Sequence, residues 1–289
     1  MSASAALSLL APAKLNLSLE VYGRRTDGYH NIRSVMVPVS LHDEVTVEEI
    51  ARGVVVECDA PFVPTGETNS CRRAASLFRE WAGVPAGVRI RLRKAIPAEA
   101  GLGGGSSDAA ATLKALIALT GKWPPPETLH AMAAGVGADV PFFTLGTAAL
   151  VEGIGDRLSP MAWSVPFHAV IVRPAFGLST REGYARLRRE VAAPPAGTTV
   201  PAFRSMADVA ASVRNDFEAA WAGDYPELGE IKRELLRAGA RGAGLSGTGS
   251  AVFGLFESAV AARRACQRLS SPEGAGGARR SVFVARSIT

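Results

Sequence analysis

Residues 97–110 read PAEAGLGGGSSDAA, and the fold turns on how this run is understood. Four glycines, Gly101, Gly103, Gly104 and Gly105, precede Ser106 and Ser107, and an alanine-rich segment with leucines at helical spacing follows. Glycine lets consecutive backbone N–H groups turn toward an anion with no Cβ in the way, and a helix opening beside Ser107 adds the positive end of its dipole. The run therefore reads as a phosphate cradle. Ser106 and Ser107 offer hydroxyls either to cap the helix or to hold a phosphate or its metal. A flexible turn capped by serine is the plainer alternative, and the surrounding chain decides between the two.

Before the cradle the chain is rich in strands. Apolar alternation predicts strands at 15–21, 34–39, 44–50 and 54–58, a helix at 69–82 and a further strand at 87–94 that delivers the chain to the glycines. After the cradle a helix runs from 107 to about 119, with Ala110, Leu113, Leu116 and Ile117 on one face. WPPP at 123–126 ends that unit, 127–134 makes another helix, and GVGADVPFF at 135–143 returns to a loop. From about 159 the pattern changes to strands at 167–172, 250–256 and 281–285, helices at 180–191, 215–222, 226–238 and 259–269, and a surface loop at 194–201. The expectation is an α+β chain of two domains, 1–158 and 159–289.

Composition narrows the classes. With 289 residues, 47% of them apolar, the chain can bury a full core. Thirty-two Lys and Arg against 27 Asp and Glu leave a net charge of +5, which suits polyanionic small molecules. No basic block interleaved with aromatics points to nucleic acid. Cys58, Cys71 and Cys266 are odd in number and widely spaced, which argues against a disulfide framework or a zinc site. His30, His42, His130 and His168 form no HExxH pattern, so no multi-histidine metal centre is expected. The N-terminal MSASAALSLLAPAK lacks the features of a secretory signal and no apolar run reaches membrane-spanning length, so the expected setting is cytoplasmic, with no membrane partner.

Two nucleotide motifs fail. The Walker loop needs a lysine directly after its glycine run, and Gly105 is followed by Ser106. Gly242, Gly244 and Gly247 satisfy GxGxxG, but that fingerprint must follow a strand and open a helix, whereas here a helical segment precedes and a strand follows.

Three segments in order, APAKLN at 11–16, PAEAGLGGGSS at 97–107 and GLSGTGSAV at 244–252, resemble the first, second and third motifs of the GHMP kinase superfamily. TDGYHNI at 26–32 and GADVPFF at 137–143 narrow the likeness to its branch acting on diphosphocytidyl-methylerythritol, and the likeness spans 11 to about 256. It implies a two-domain GHMP kinase fold, ribosomal protein S5 domain 2-like at the N-terminal end and ferredoxin-like at the C-terminal end. It also implies ATP with Mg²⁺, and transfer to the 2-position hydroxyl of that small-molecule substrate. A kinase of the homoserine or mevalonate type is the alternative, and a nucleic-acid-binding protein of S5-like fold the more distant one. Oligomeric state is left open.

The likeness implies roles residue by residue. Phosphoryl transfer needs charge neutralised on the moving group, an aligned hydroxyl and somewhere for its proton to go. Asp139 falls where the family has its catalytic base; by itself, Asp before Val140 and Pro141 also suits a helix N-cap. Lys14 is its electrostatic partner, able to keep that carboxylate ionised and to steady developing charge, though as a bare residue it reads as a lysine at an exposed strand end. Asn16, two residues on, faces the same side of a strand and can both donate to and accept from substrate. The nucleotide would lie along Pro97, Gly101, Leu102, Gly103, Gly104, Gly105, Ser106 and Ser107, with Lys94 before the loop and Asn69 beside it; the family commonly has leucine after that asparagine, and this chain has Ser70. Tyr29 would lie over the cytosine ring, His30 would bond the base edge and Tyr184 would close the other side, each with a plainer reading as a turn or core residue. Asp108 either caps the helix start or helps hold Mg²⁺ through water. Gly247 and Thr248, with Gly249, would form a second close-approach turn near the substrate diphosphate.

Overall fold

The computed structural model describes residues 6–187, 199–270 and 280–288. Two long strands open the chain, β1 (Ala6–Arg24) and β2 (His30–Ile50). There follow β3 (Val54–Cys58), α1 (Ser70–Ala82), β4 (Gly87–Arg93), α2 (Gly104–Thr120), α3 (Pro126–Val136), α4 (Val140–Leu145), β5 (Ala149–Gly153) and β6 (Arg157–Pro160). The remainder runs β7 (His168–Pro174), α5 (Thr180–Arg186), α6 (Met206–Ala211), β8 (Arg214–Asn215), α7 (Phe217–Trp221), α8 (Pro226–Arg237), β9 (Gly242–Leu245), β10 (Val252–Phe256), α9 (Ala259–Ser270) and β11 (Arg280–Arg286). These elements form two compact units. The first holds the described parts of Met1–Ala13, His42–Ile96 and Gly103–Gly146, and the second those of Lys14–Leu41, Pro97–Leu102 and Thr147–Thr289.

In the first unit β4 pairs antiparallel with the second half of β2 and parallel with β3, the parallel pair being joined through α1. Helix α1 is fixed at both ends: the Asn69 side chain accepts from the amides of Cys71 and Arg72, and Gly83 closes the C-terminus in the left-handed region at φ 60°. Its buried residues Cys71, Ala74, Ala75, Phe78 and Ala82 recur at helical spacing. Helix α2 is different. Ala109, Ala110, Ala111, Leu113, Ala115, Leu116 and Ile117 are all buried, so the single apolar face expected there gives way to a helix covered nearly all round, with α1 and α4 packed against it.

In the second unit β5 and β6 form a hairpin against the first half of β2, and β8 runs parallel to β1. The other sheet has the order β11-β7-β10-β9 with every pair antiparallel. Leaving α5 to α7 aside, the sequence β7, α8, β9, β10, α9, β11 in that order is the split βαβ of a ferredoxin-like domain. Phe217, Trp221, Ile231, Leu235, Phe256 and Ala262, each at most 1% exposed, belong to its core.

Several elements differ from expectation for visible reasons. The strands expected at 34–39 and 44–50 are one, β2, because the carboxylate of Asp43 is satisfied inside the fold, accepting from Ala95 N at 2.6 Å and Ile96 N at 2.8 Å. Helix α2 begins at Gly104, not Ser107, and Gly103 sits at its N-cap with φ 75°. The loop expected at 135–143 holds α4. Gly242 and Gly244 lie inside β9, which hairpins into β10, so the dinucleotide motif fails because its glycines form a strand instead of following one. Helix α5 stops at Arg186; positions 188–191 of the longer helix expected there, and 194–198 of the expected loop, lie outside the described residues. Among the described residues no helix is long and apolar enough to cross a membrane.

Gly101 has φ 72°, and a Cβ built there meets Ser246 O at 1.9 Å, whereas Gly83 at φ 60° faces open space. Left-handed strain alone costs about 1 kcal/mol, and a backbone collision adds on the order of 1–3 kcal/mol. Denaturant midpoints should therefore show Gly101→Ala losing at least twice the stability that Gly83→Ala loses.

Candidate active site

A polar network in the second unit surrounds Lys14. This lysine is 3% exposed in the middle of β1, not at an exposed strand end, and a buried ammonium requires partners. Its Nζ donates to Asn16 Oδ1, Asn16 Nδ2 donates to Ser34 Oγ at 2.7 Å, and Ser34 Oγ donates to Ser18 O at 2.6 Å. Asn16 does face the same side as Lys14, and its amide is engaged by protein groups at both ends. The backbone of the glycine loop meets this network. Lys14 N donates to Leu102 O at 3.0 Å, Ser246 Oγ donates to Gly101 O at 2.9 Å, and Ala251 N donates to Ala100 O at 3.1 Å. Gly247, at φ 57°, lies so close that a Cβ would stand 3.0 Å from Gly101 O and 3.2 Å from Lys14 Nζ. Lys14, Asn16, Gly101, Leu102 and Gly247 are thus brought together, Leu102 as a core residue at 1% exposure. The turn is fastened from below. Asn215 Nδ2 donates to Leu245 O and Gly247 O, both at 2.8 Å, and Trp221 Nε1 donates to Thr248 O at 3.0 Å.

The first unit carries the start of α2. Gly104, Gly105 and Ser106 occupy its first turn, where backbone N–H groups have no partner inside the helix and the dipole is positive. No side chain caps it, so the serine cap allowed by the sequence is not formed. A Cβ at Gly104 would crowd Ile96 at 3.1 Å, but at Gly105 nothing lies within 4 Å. Protein packing gives no reason for glycine at 105; room for a ligand to approach the backbone does. Ser106 lies beside the turn that carries Asp139, since a Cβ at Gly137 would be 3.9 Å from Ser106 Oγ. Asp139 is half-buried at the N-cap position of α4, yet its carboxylate makes no capping bond to that helix. Ser107 Oγ, by contrast, is buried without a hydrogen-bond partner.

Two residues expected near the nucleotide have side chains engaged elsewhere. Asn69 is the cap of α1, and its Nδ2 donates to Pro64 O at 2.7 Å. Lys94, just past β4, donates to Asp43 Oδ2 and to Asp108 Oδ2. Asp108 is not in the first turn of α2 and caps nothing; it is 2% exposed and its Oδ1 is unpartnered. Burial pushes the Asp108 carboxyl up to about 7, against the pull of Lys94 and with the push of Asp43. Burial draws Lys94 down, but the attraction of Asp108 and then Asp43 outweighs it and leaves the ammonium above its ordinary value. Among the described residues no group of three or more His, Cys, Asp or Glu could hold a metal ion.

The expected aromatic pair is present in another arrangement. His30 and Tyr184 stack directly on each other, ring centroids 5.2 Å apart and planes 23° off parallel, and Tyr184 meets Phe217 edge-on at 5.0 Å. Burial, then Arg24, lowers the pKa of His30, which keeps the imidazole neutral near pH 7. Tyr29 stands apart from this stack and is 61% exposed. Thr248 shares a hydrogen bond with Thr180, Oγ1 to Oγ1 at 3.1 Å.

Comparison with known proteins identifies the family. Residues 69–147 match the GHMP kinases N terminal domain and residues 201–273 the GHMP kinases C terminal domain. A 4-diphosphocytidyl-2-C-methyl-D-erythritol kinase of Geobacter metallireducens is 43% identical over 92% of this chain and 94% of its own length. That of Syntrophus aciditrophicus is 41% identical over 98% and 99%. The chain belongs to the 4-diphosphocytidyl-2-C-methyl-D-erythritol kinase family. A crystal structure of 4-(cytidine 5'-diphospho)-2C-methyl-D-erythritol kinase superposes with a TM-score of 0.79 at 38% identity, covering 98% of this chain and all of the other. The homoserine kinase of Cytophaga hutchinsonii, at TM-score 0.73 and 21% identity over 96% of this chain and 94% of its own, shares the fold. The protein is accordingly a kinase with the two-domain GHMP fold, a phosphotransferase for an alcohol acceptor.

Asp43, Ser34, Ser246 and Asn215 were not singled out in the sequence. The available signal was an acid or amide interrupting an apolar segment, as in SLHDEV, and it reads equally well as a turn. The carboxyl of Asp108 is ordinarily ionised above 3.8, and in the fold it holds its proton to about 7. Between those values the folded chain binds a proton that the unfolded chain has released, so this group's contribution falls as pH rises through that window. Asp108→Asn cannot titrate. Its melting temperature relative to the parent should climb from about pH 5 to about pH 8, and a difference flat across that range would contradict the assignment.

Proposed function

We propose that this kinase transfers the γ-phosphoryl group of ATP to the 2-position hydroxyl of 4-diphosphocytidyl-2-C-methyl-D-erythritol, in the supply of isoprenoid precursors. The observation that carries the reading is the first turn of α2, where amides without helical partners meet the open approach at Gly105. Relatives more than 40% identical, named as 4-diphosphocytidyl-2-C-methyl-D-erythritol kinases, suggest the acceptor. The division at 158/159 is proposed with it, and the two matched family segments lie on either side. A cytoplasmic setting accords with three cysteines, none of them in a disulfide.

Asp139 takes the proton of the acceptor hydroxyl. It is half-buried in the turn that lies beside Ser106 at the start of α2, which supports this role. Lys14 supplies positive charge, and its burial makes that charge count for more than it would in water. The amides of Gly104, Gly105 and Ser106 and the hydroxyls of Ser106 and Ser107 hold the polyphosphate. Mg²⁺, when bound, neutralises phosphate charge; with no acidic cluster to cage it among the described residues, phosphate oxygens and water would supply most of its ligands, with the serine hydroxyls as protein donors. His30, neutral and carrying one donor and one acceptor nitrogen, reads the cytosine edge, with Tyr184 stacked on it and the exposed Tyr29 as a lid over the base.

Purified enzyme should consume ATP with the diphosphocytidyl acceptor, and phosphorus NMR should show a new monoester on it but none on mevalonate, homoserine or galactose. Asp139→Asn should lower kcat on the order of 10²- to 10⁴-fold, and a near-full kcat would remove it as base. His30→Ala should raise KM for the acceptor and leave KM for ATP unchanged. Gly105→Ala should hold or gain stability, by up to about 1 kcal/mol from helix propensity, while raising KM for ATP. An unchanged KM for ATP in that variant would move the nucleotide away from α2.

A further inference from the structure

We propose that Asp43 is a positioning residue for the phosphate loop, a single buried carboxylate that fixes both the segment before the loop and the helix after it. The inference rests on the reading of residues 97–107 as that loop.

The geometry is confined to the first unit. Asp43 is 0% exposed in the middle of β2. Its Oδ1 accepts from the amides of Ala95 and Ile96, the last two residues before Pro97, and its Oδ2 accepts from Lys94 Nζ. The same Oδ2 lies 3.4 Å from the position a Cβ would take on Gly104, the first residue of α2. Lys94 carries the connection further, because its ammonium also bonds Asp108 one turn into α2. One side chain therefore bonds the backbone where the loop begins and reaches the helix that follows through Lys94 and Asp108.

Stability alone is a poor explanation for this arrangement. Asp43 and Lys94 form a buried ion pair beside a carboxyl that keeps its proton to about 7, and buried pairs of this kind often stabilise less than apolar residues of the same shape. Bonds to a carboxylate are, however, short and directional, and three of them on one group define the local backbone closely. A loop that grips triphosphate through its amides works only if those amides are already aimed. Asp43 is fully buried, so its effect passes through the backbone of 95–96 and through Lys94 to Asp108.

The test uses the full chain with Asp43→Asn, Asp108→Asn and the double variant, read by amide hydrogen exchange without nucleotide and by steady-state kinetics. Asp43→Asn should speed exchange at Ala95 and Ile96 relative to the β10 amides, raise KM for ATP on the order of tenfold, and leave KM for the acceptor within about twofold. Asp108→Asn should raise KM for ATP less, and the double variant should fall short of the product of the single effects, because both act through Lys94. Exchange at 95 and 96 that is unchanged, or that rises equally with β10, overturns the proposal; so does a parallel rise in both KM values. If Asp43→Asn fails to melt cooperatively, Asp108→Asn decides, and an unchanged KM for ATP in that variant overturns it. A parent enzyme indifferent to ATP would sink the functional reading, while exchange at 95 and 96 reports on the clamp alone.

Discussion

A helix covered nearly all round, with nothing capping its first turn, is the constraint to which the first unit answers. Amides there have no intrahelical acceptor, and burying them unpaired would cost more than most single interactions return. In α2 the problem is met by removing side chains instead of adding a cap: Gly103 takes the left-handed turn, Gly104 fits against Ile96 and Asp43, and Gly105 leaves the amides reachable. The alanine run at 109–111 follows from the same burial, since only small residues let neighbouring helices close on every face. A helix built this way keeps a positive, accessible end inside a packed unit, which is what an anionic ligand needs.

The second unit solves a related problem with charge. An ammonium at 3% exposure in the middle of a strand is tolerated because a chain of polar groups, Asn16, Ser34 and the Ser18 carbonyl, continues from it. The glycine pair Gly101 and Gly247 lets two turns approach until their backbones touch, and Ser246 fixes that contact. Asn215 and Trp221 hold the second turn from the other side, so its position is determined by the ferredoxin-like core instead of by the loop itself.

What could be read from the sequence was the local pattern. The strands at 54–58 and 87–94 and the helix at 69–82 follow from periodicity and from turn residues. The glycine run pointed to its chemistry because φ and close approach are properties of the residue type. Long-range satisfaction was not legible. Asp43 fell in the gap between two expected strands because a carboxylate in an apolar segment is ordinarily a break, and its partners lie 51 to 53 residues away in the chain. Asp108 looked like a first-turn acid only because the helix start was placed three residues late. Lys14 looked exposed because the turns that close over it, at 101–102 and 247, are distant in the chain.

The stack of His30 on Tyr184 bears on selectivity. Partial burial and then the charge of Arg24 disfavour the imidazolium, so the ring stays neutral and offers one donor and one acceptor in place of a positive charge. A site meant for a bare anionic acceptor gains nothing from a neutral ring held this way and would be served better by a cation. A site that must tell a pyrimidine edge from water gains directional bonding, and leaves its buried polar atoms unpaired when an acceptor without a base binds instead. A neutral imidazole held flat against Tyr184 therefore suits the role proposed for it, directional bonding to a base edge, better than the neutralisation of an anion.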